Sequence, residues 1–414
     1  MTVETSEHTS SIAATGGRAR WRLPHTAAFA LQVSMLVVFL AASMAPTPLY
    51  ASYQEQWGFS PAVVTEIFAV YALAVLATLL TVGALSDFVG RRPVLVAAVL
   101  AQVAALVVFL TASGVASLVI ARVLQGVAAG AALGALGAGL LDLDKVKGTF
   151  ANGVGAMAGT AVGALIAGVF VQLLPAPTHL VYVLLLAIVV AQGVGVLLMR
   201  ETASPRPGAL ASLRPRLGVP ANARTAFFIG VPVFIATWSL TGLYGSLGPA
   251  LTRQVSGADS AILGGLSLFI LAGAGSITVL VTRNGNAGRL QAWGAFALIA
   301  GVGITEVALE ASSVVVLFLG TAIAGVGFGT AFQGALRTVL PLAALHERAG
   351  LLSTIFVVCY LSMGVPAVIA GVLVTRGDLI TTAHQYGFVV MALATVPLIA
   401  MVARNANARR RVTA

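Results

Sequence analysis

Long apolar runs separated by short polar gaps occupy the chain from residue 26 to residue 403. Each run is long enough for an α-helix to cross the hydrocarbon core of a bilayer, which takes about 20 residues. The pattern predicts twelve membrane-spanning helices, spans 1 to 12, at 26–49, 62–84, 93–112, 116–141, 150–173, 178–199, 225–249, 260–282, 290–309, 313–336, 350–374 and 384–403. The predicted fold class is therefore an all-α polytopic membrane protein.

A polar segment at 200–224 interrupts this pattern at mid-chain. It holds four prolines and five arginines, a density that no membrane helix tolerates. We therefore predict a cytoplasmic linker that joins an N-terminal six-helix bundle at 25–199 to a C-terminal six-helix bundle at 225–403. A polar tail at 1–24 and a basic tail at 404–414 are expected on the same side of the membrane.

The two halves also resemble each other in sequence. The segment ALIAGVFV at 164–171 in span 5 matches AVIAGVLV at 367–374 in span 11, an offset of 203 residues. Pro46 and Pro48 near the end of span 1, and Pro249 near the end of span 7, occupy corresponding places. These features indicate a duplicated six-helix unit, and the prolines predict either bending or termination of the two helices.

Basic residues fall almost entirely on one side of this topology. Of the 23 Lys and Arg residues, 20 lie in the tails, the linker and the loops of that side, whereas only Arg253 and Arg376 lie on the other and Arg122 lies within span 4. An excess of Lys and Arg marks the cytoplasmic side. We therefore expect a protein of the inner, or plasma, membrane with both termini in the cytoplasm. The first apolar run has no signal-peptide cleavage site and is expected to remain as span 1.

Composition supports a surface that faces lipid. The chain is 59% hydrophobic and 9% charged, with a mean hydropathy of +1.00, whereas soluble domains carry roughly 25% charged residues. The net charge of +10 is explained by membrane orientation, so we expect no nucleic-acid partner. The single cysteine, Cys359, excludes an internal disulfide and a CxxC metal site, and we expect neither a metal nor another cofactor.

Two motifs carry the functional assignment. The loop between spans 2 and 3 reads GALSDFVGRRPVL from Gly83. Glycine permits close helix approach at Gly83 and a positive φ at Gly90, while Asp87 and Arg91 lie one helical turn apart and can pair; Arg92 follows. Span 4 carries the second motif, LVIARVLQGVAAGA from residue 118.

These motifs resemble two signature elements of the major facilitator superfamily, G-x-L-(A/S)-D-x-x-G-R-(R/K)-x-x-(L/I) and L-x-x-x-R-x-x-Q-G-x-x-x-A. The resemblance covers the whole chain and implies a gating role for the loop, joined by an acid at the end of span 4, either Asp142 or, as the alternative, Asp144. It also implies a role for Arg122 in proton coupling. The drug and metabolite efflux branch is the nearest pattern, although span 5 lacks the G-P-x-x-G-G element, span 1 lacks an acid, and the second-half loop at 282–290 has no acid.

Ionisable residues at membrane depth indicate functional sites. They are few here, namely Glu66, Arg122 and Glu306. We expect Glu66 and Glu306 to be protonation sites, with acids at the membrane surface as the alternative. Arg122 precedes Gly126 by one turn, so it stands on a glycine stripe and is expected to point into the bundle, with Gln125 beside it and Glu66 as its partner; an arginine that reaches up to the headgroups is the alternative.

The predicted function is secondary active transport, most simply proton-coupled efflux of small apolar or weakly polar compounds by alternating access. Sparse charge in the spans argues against phosphate or polycarboxylate substrates, which need clustered basic residues. Import of a neutral nutrient such as a sugar is the nearest alternative. Nucleotide-binding and hydrolase motifs are absent, so an enzyme or a channel is not expected. The expected partners are a small-molecule substrate, protons and the bilayer, and the expected state is a monomer.

Overall fold

The computed structural model describes the backbone of residues 22–412 and the side chains of residues 22–400. Within these residues the chain is helical and has no strand. Twelve of the described helices are long and apolar enough to cross a membrane, which confirms the predicted fold class. Spans 1 to 12 are His25–Met44, Pro61–Val82, Arg91–Leu110, Val115–Leu143, Lys145–Leu173, Pro177–Leu198, Arg224–Ser246, Ala261–Val281, Ala287–Glu310, Val314–Val339, Arg348–Arg376 and Leu379–Val412.

Shorter elements lie between the spans. The α-helices among them are Tyr50–Trp57, Ser86–Val89, Ala209–Ser212 and Gly248–Ser256, and short 3-10 turns lie at Ala221–Ala223 and Leu340–Leu342. The side of the molecule that carries the linker is called inner below, and the opposite side is called outer. Two of the short helices, which follow spans 1 and 7, lie on the outer side.

Span 1 is shorter than the sequence predicts. The helix ends at Met44 instead of continuing to residue 49, because Pro46 and Pro48 cannot donate the backbone hydrogen bonds that would extend it. The chain then turns and enters the short helix Tyr50–Trp57. The prolines therefore terminate span 1 and leave the carbonyl groups of its last turn available to other partners.

Span 7 has the same arrangement at its outer end. It is followed by the short helix Gly248–Ser256, in which Pro249 occupies the first turn. Both short helices end at a glycine in the left-handed conformation, Gly58 with φ 66° and Gly257 with φ 63°. These two glycines lie 199 positions apart, so the broken outer ends of spans 1 and 7 are repeats of each other.

The duplication has two offsets. Spans 1 to 4 repeat as spans 7 to 10 at 199 residues, as the span ends Val82 and Val281 show. Span 5 repeats as span 11 at 203 residues, the offset found in the sequence. The four extra residues lie in one inner loop, because Asp144 alone separates spans 4 and 5, whereas residues 343–347 precede span 11. Corresponding positions of the two halves can therefore be compared residue by residue.

Glycines set the closest helix contacts. The stripe that begins at Gly126 in span 4 faces span 2, and a Cβ on Gly126 would lie 2.8 Å from the carbonyl oxygen of Tyr71. Between the halves, span 2 packs on span 11 and span 5 packs on span 8. A Cβ on Gly265 in span 8 would lie 2.4 Å from the carbonyl oxygen of Ala164 in span 5. Spans 2 and 4 are therefore held together next to the broken end of span 1.

Candidate functional site

Arg122 lies in span 4, seven residues after its start at Val115, or about 10 Å below the outer end of the helix at 1.5 Å per residue. The side chain is fully buried, with 0% exposure. It therefore points into the bundle, as the glycine stripe predicts, and does not reach the membrane surface. Gln125, one turn further along, is also fully buried.

The broken end of span 1 supplies the partners of Arg122. Its Nη1 donates to the carbonyl oxygen of Ser43 at 2.6 Å and to Oε1 of Gln125 at 2.8 Å. Gln125 in turn donates to the carbonyl oxygen of Ala42 at 2.9 Å. These carbonyls belong to the last turn of span 1, where the helix dipole is negative. Termination of span 1 thus creates a site that stabilises a buried cation.

Tyr50, the first residue of the short helix after span 1, completes the contacts. Its hydroxyl accepts from Nε of Arg122 at 2.9 Å and from Nη2 at 2.6 Å. The guanidinium carbon also lies 5.6, 5.3 and 6.0 Å from the ring centres of Tyr50, Tyr71 and Phe109. Aromatic rings at this distance stabilise a cation further. The sequence analysis did not predict Tyr50, because residues 26–49 appear there as one continuous span.

No carboxylate bonds to Arg122 within the described side chains, residues 22–400. The structure does not bring the expected partner Glu66 to it. Glu66 is exposed, whereas its neighbours Thr65 and Ile67 are fully buried. Consecutive residues of a helix point in different directions, so the face of span 2 that packs in the bundle excludes Glu66. The cation is held by a backbone carbonyl, the Gln125 amide oxygen, a hydroxyl and aromatic rings.

The loop between spans 2 and 3 forms an ion-pair network on the inner side. Arg91 bonds to Asp87, donates to Oγ of Ser86 at 2.9 Å, and donates to Oδ2 of Asp142 at 2.9 Å. The whole Arg91 residue is only 6% exposed. Of the two acids at the end of span 4, Asp142 joins this network. Spans 2, 3 and 4 are therefore tied together at their inner ends.

Asp144 has a different position. Its carboxylate accepts from the backbone N–H groups of Val146 and Lys147 at 3.0 and 2.9 Å, and it thereby caps the start of span 5. The hydrogen bond from the Lys147 backbone holds the pKa of Asp144 below its usual value. It is a helix cap and not a member of the Arg91 network.

The linker adds a residue that the sequence analysis missed. Glu201 accepts from the backbone N–H groups of Arg91 at 2.7 Å and Arg92 at 2.9 Å, so it caps the start of span 3. Gly90 makes this contact possible, because its φ is +101° and a Cβ there would lie 2.7 Å from a Glu201 oxygen. Glu201 is the sole acid in 200–224, a signal that was present in the sequence.

A second linker contact reinforces the first. Arg206 donates from its backbone to the carbonyl oxygen of Phe88 at 2.9 Å and from Nε to that of Asp87 at 2.9 Å, and its guanidinium lies over the Phe88 ring. Arg92 donates to the carbonyl oxygen of Leu197 at the end of span 6. The first residues of the linker therefore lie against the loop motif.

The C-terminal half holds its own polar pair. Glu306 in span 9 bonds to Nδ1 of His384 in span 12, and the side chains are 13% and 23% exposed. A Cβ on Gly387 would lie only 1.8 Å from a Glu306 oxygen, so the carboxylate rests against the backbone of span 12. The sequence analysis missed His384 because it placed the start of span 12 at that residue, whereas the helix begins at Leu379.

An outer cavity of about 530 Å³ lies between the two halves. Its wall is mainly apolar, with polar side chains from the two short outer helices. The lining residues include Thr47, Tyr50, Gln54, Glu55, Val64, Ser246, Pro249, Arg253, Gln254, Val374 and Leu379. Arg253 lies 4.0 Å from Glu55 of the other half and 3.0 Å from Asp259. Tyr50 thus connects this cavity to the buried Arg122.

Two related bundles of six apolar helices, with a buried arginine in one and a partly buried acid in the other, define a membrane transport protein. The family model described as Major Facilitator Superfamily matches residues 31–368, and the chain belongs to this superfamily. A transporter and not an enzyme is therefore indicated.

A solved structure shares the fold at low sequence identity. The crystal structure of the human organic anion transporter MFSD10 (TETRAN) superposes with a TM-score of 0.65 over 91% of this chain and 100% of that chain, at 16% sequence identity. A comparison with curated proteins returned no match.

Proposed function

We propose that this protein is a proton-coupled exporter of small apolar or weakly polar compounds in the inner membrane, with both termini in the cytoplasm. Membership of the superfamily supports secondary transport of small molecules. The observation that carries the proposal is the buried Arg122, which is held by the end of span 1 and by Tyr50, a residue of the outer cavity. The cavity lies between the halves, where alternating access requires a substrate to pass.

The chemistry of the cavity favours substrates of low charge. Its one basic side chain, Arg253, already faces the acids Glu55 and Asp259. A phosphate or polycarboxylate would need free, converging cations. A small molecule with a large apolar surface and one or two polar groups fits the remaining lining, in which alanine, valine, leucine and proline alternate with Thr47 and Ser246.

Coupling requires that the energy of a proton gradient change the contacts between the halves. Arg122 and Gln125 join span 4 to the broken end of span 1. The residues that follow this end, Thr47 and Tyr50, line the outer cavity. We therefore assign Arg122 and Gln125 to coupling.

Asp142 and Glu310 lie at the very ends of their helices, which leaves Glu66 and Glu306 as the acids further inside the spans. The partial burial and the histidine partner of Glu306 favour it over the exposed Glu66 as the group that titrates.

The inner network acts in this proposal as a conformational latch. The network lies far from the outer cavity and holds the inner ends of spans 2, 3 and 4 together. Its residues are Gly83, Asp87, Gly90, Arg91, Arg92 and Asp142. Ion pairs of this kind open and close as helices shift, and they do not need to contact the substrate.

Transport by purified protein in liposomes tests the function. Vesicles with an imposed pH gradient are offered a panel of uncharged and weakly basic dyes, with sugars as the alternative class. We expect gradient-driven dye movement that collapses when a protonophore is added. Sugar uptake, or dye movement that ignores the pH gradient, would contradict proton-coupled export.

A further inference from the structure

The Glu306–His384 pair occupies a position that suits reversible binding of a proton. Glu306 lies four residues before the outer end of span 9, and His384 lies five residues after the start of span 12. At 1.5 Å per residue both are about 6 to 8 Å below the outer ends of their helices. Carboxylate and imidazole share a hydrogen bond, so the pair can hold an additional proton as water reaches it from the outer side.

A small cavity adjoins the carboxylate inside the C-terminal half. It is lined by Glu306 and Thr305 of span 9, by Gly387 of span 12 and by residues of span 7, among them Tyr244. The hydroxyl of Tyr244 bonds to Thr321 of span 10 at 2.8 Å. Spans 7, 9 and 12 thus meet at the cavity beside the carboxylate, and span 10 is joined to span 7 there through Tyr244.

Other charged and titratable groups around the pair are few. Glu310 lies one turn further along span 9 and acts on Glu306 as a like charge, and Asp378, just before span 12, acts on His384 as an opposite charge. Span 7 contributes the phenol of Tyr244, and span 10 contributes the uncharged Thr321. The short helix after span 7 presents the apolar Leu251. Among these groups only Glu306 and His384 are both partly buried and paired with each other.

Span 7 connects the pair to the contact between the halves. Tyr386, two residues after His384, donates to the carbonyl oxygen of Ser239 in span 7 at 2.6 Å. At the outer end of the same span, the carbonyl oxygen of Gly245 accepts from Thr47 of the N-terminal half at 3.1 Å. A change in how spans 9 and 12 meet at Glu306 therefore bears on the residues that line the outer cavity.

We propose that Glu306 and His384 together form the proton-binding site of the C-terminal half, and that its occupancy sets the opening of the outer cavity through span 7. The inference rests on the proposed proton coupling and names the groups that perform it. At the corresponding positions the N-terminal half has Val107 and Val181, so the site belongs to one half only.

The test measures the outer opening directly and needs no substrate. Spin labels are attached at Gln56→Cys and Gln254→Cys, two exposed positions on the short outer helices of the two halves. The background carries Cys359→Ala, which removes the one native cysteine, a buried residue, so that labels attach only at the two introduced positions. The label-to-label distance is recorded from pH 4 to pH 9, a range that includes the ordinary pKa values of about 4.3 for a glutamate and about 6.5 for a histidine.

We expect the distance distribution to shift with pH in this background. The shift should be lost in Glu306→Gln, which keeps the shape of the side chain, and in His384→Gln, which keeps an amide able to hydrogen-bond but removes the imidazole. It should persist in Glu310→Gln, a matched acid one turn away that is exposed. Gly387→Ala, which displaces the carboxylate without removing it, should move the midpoint of the shift.

A pH response that survives in either Glu306→Gln or His384→Gln would overturn the proposal, as would the absence of a response in the background. Loss of the response in Glu310→Gln would also overturn it, because the response would then depend on any nearby negative charge and not on the Glu306–His384 pair. Failure of proton-coupled transport is a separate result, because it is read from the liposome assay and not from the distance.

Discussion

The two halves share a scaffold but differ in chemistry. Gly126 in span 4 corresponds to Gly325 in span 10, and a Cβ there would lie 2.8 Å from the Tyr71 carbonyl oxygen in one half and 2.4 Å from the Leu271 carbonyl oxygen in the other. The charge one turn earlier is not repeated, since Arg122 corresponds to the uncharged Thr321. Both halves therefore keep the close helix contact, whereas only the N-terminal half has the buried cation at this position.

The partly buried acid occurs in the C-terminal half only. Glu306 and His384 correspond to Val107 and Val181 at the two offsets. The N-terminal half thus holds a fixed positive charge on span 1 carbonyls, and the C-terminal half holds a pair that can gain or lose a proton. A permanent charge suits a structural joint, whereas a titratable pair suits a switch. We interpret the division as a separation of these two tasks.

The inner loops differ in the same way. Asp87 corresponds to Asn286, which accepts from the backbone of Arg289 at 3.1 Å and caps span 9 as a neutral residue. The ion-pair network of Asp87, Arg91 and Asp142 therefore exists in one half only within the described side chains. Gating at the inner side is expected to depend on the N-terminal loop.

Among the variants of the N-terminal half and the linker, the largest effect is expected for Arg122→Ala. Removal of the guanidinium leaves the Ser43 carbonyl, Gln125 and Tyr50 without their donor in a buried site, so gradient-driven transport should fall by about 100-fold. Arg122→Lys should also be impaired, because a point charge does not reproduce the planar fork. The measurement is dye transport in liposomes at equal amounts of inserted protein.

Thr321→Ala is the matched control in the other half. The Thr321 hydroxyl bonds to the Tyr244 hydroxyl and to the carbonyl oxygen of Leu317 in its own helix. Its loss should reduce transport by less than about threefold. Equal losses for the two variants would show that the halves contribute alike, and normal transport by Arg122→Ala would remove the arginine from the coupling mechanism.

Asp87→Asn should have the next largest effect. The neutral side chain weakens the pairing with Arg91 while Asp142 remains, so the inner latch should close less well. We expect turnover to fall about tenfold with substrate affinity within about twofold. Asn286→Ala, at the corresponding place, should leave turnover nearly unchanged. Reduced binding with normal turnover in Asp87→Asn would contradict the latch.

The sequence predicted the spans and the inward direction of Arg122 because both depend on local pattern, namely apolar length and the position of Gly126 one turn away. It did not predict Tyr50 or Ser43 as partners, since they follow from the helix break that the prolines cause. It placed His384 at the border of span 12, because polar residues interrupt the apolar pattern within 378–384, where the helix in fact begins. Glu201 reaches Arg91 across 110 positions of sequence, and no local pattern reports such a contact.

Glu201→Gln should have a smaller effect than Asp87→Asn. The amide has a single acceptor oxygen, so it can accept from only one of the Arg91 and Arg92 backbone N–H groups, and the favourable charge at the helix start is lost. Because Glu201 is exposed at the surface, turnover should fall by no more than about threefold. A stronger test is the pair Glu201→Gln and Asp87→Asn combined. If the linker acts through the loop, the double variant should lose less than the product of the two single losses.

The smallest effect is expected for Glu66→Gln, which sharpens the contrast between the acids of the two halves. Glu66 is exposed on span 2, and its neighbours Thr65 and Ile67 take the buried positions. Because this side chain lies outside the packed face of span 2, an amide in its place removes no contact between helices. Gradient-driven transport should therefore stay within about twofold of the native rate, whereas Glu306→Gln should abolish the response to the gradient. The measurement is initial rate against the size of the imposed pH gradient for both variants. A flat dependence in Glu66→Gln with a normal one in Glu306→Gln would transfer the coupling to the N-terminal half, and it would place the titratable acid in the same bundle as Arg122.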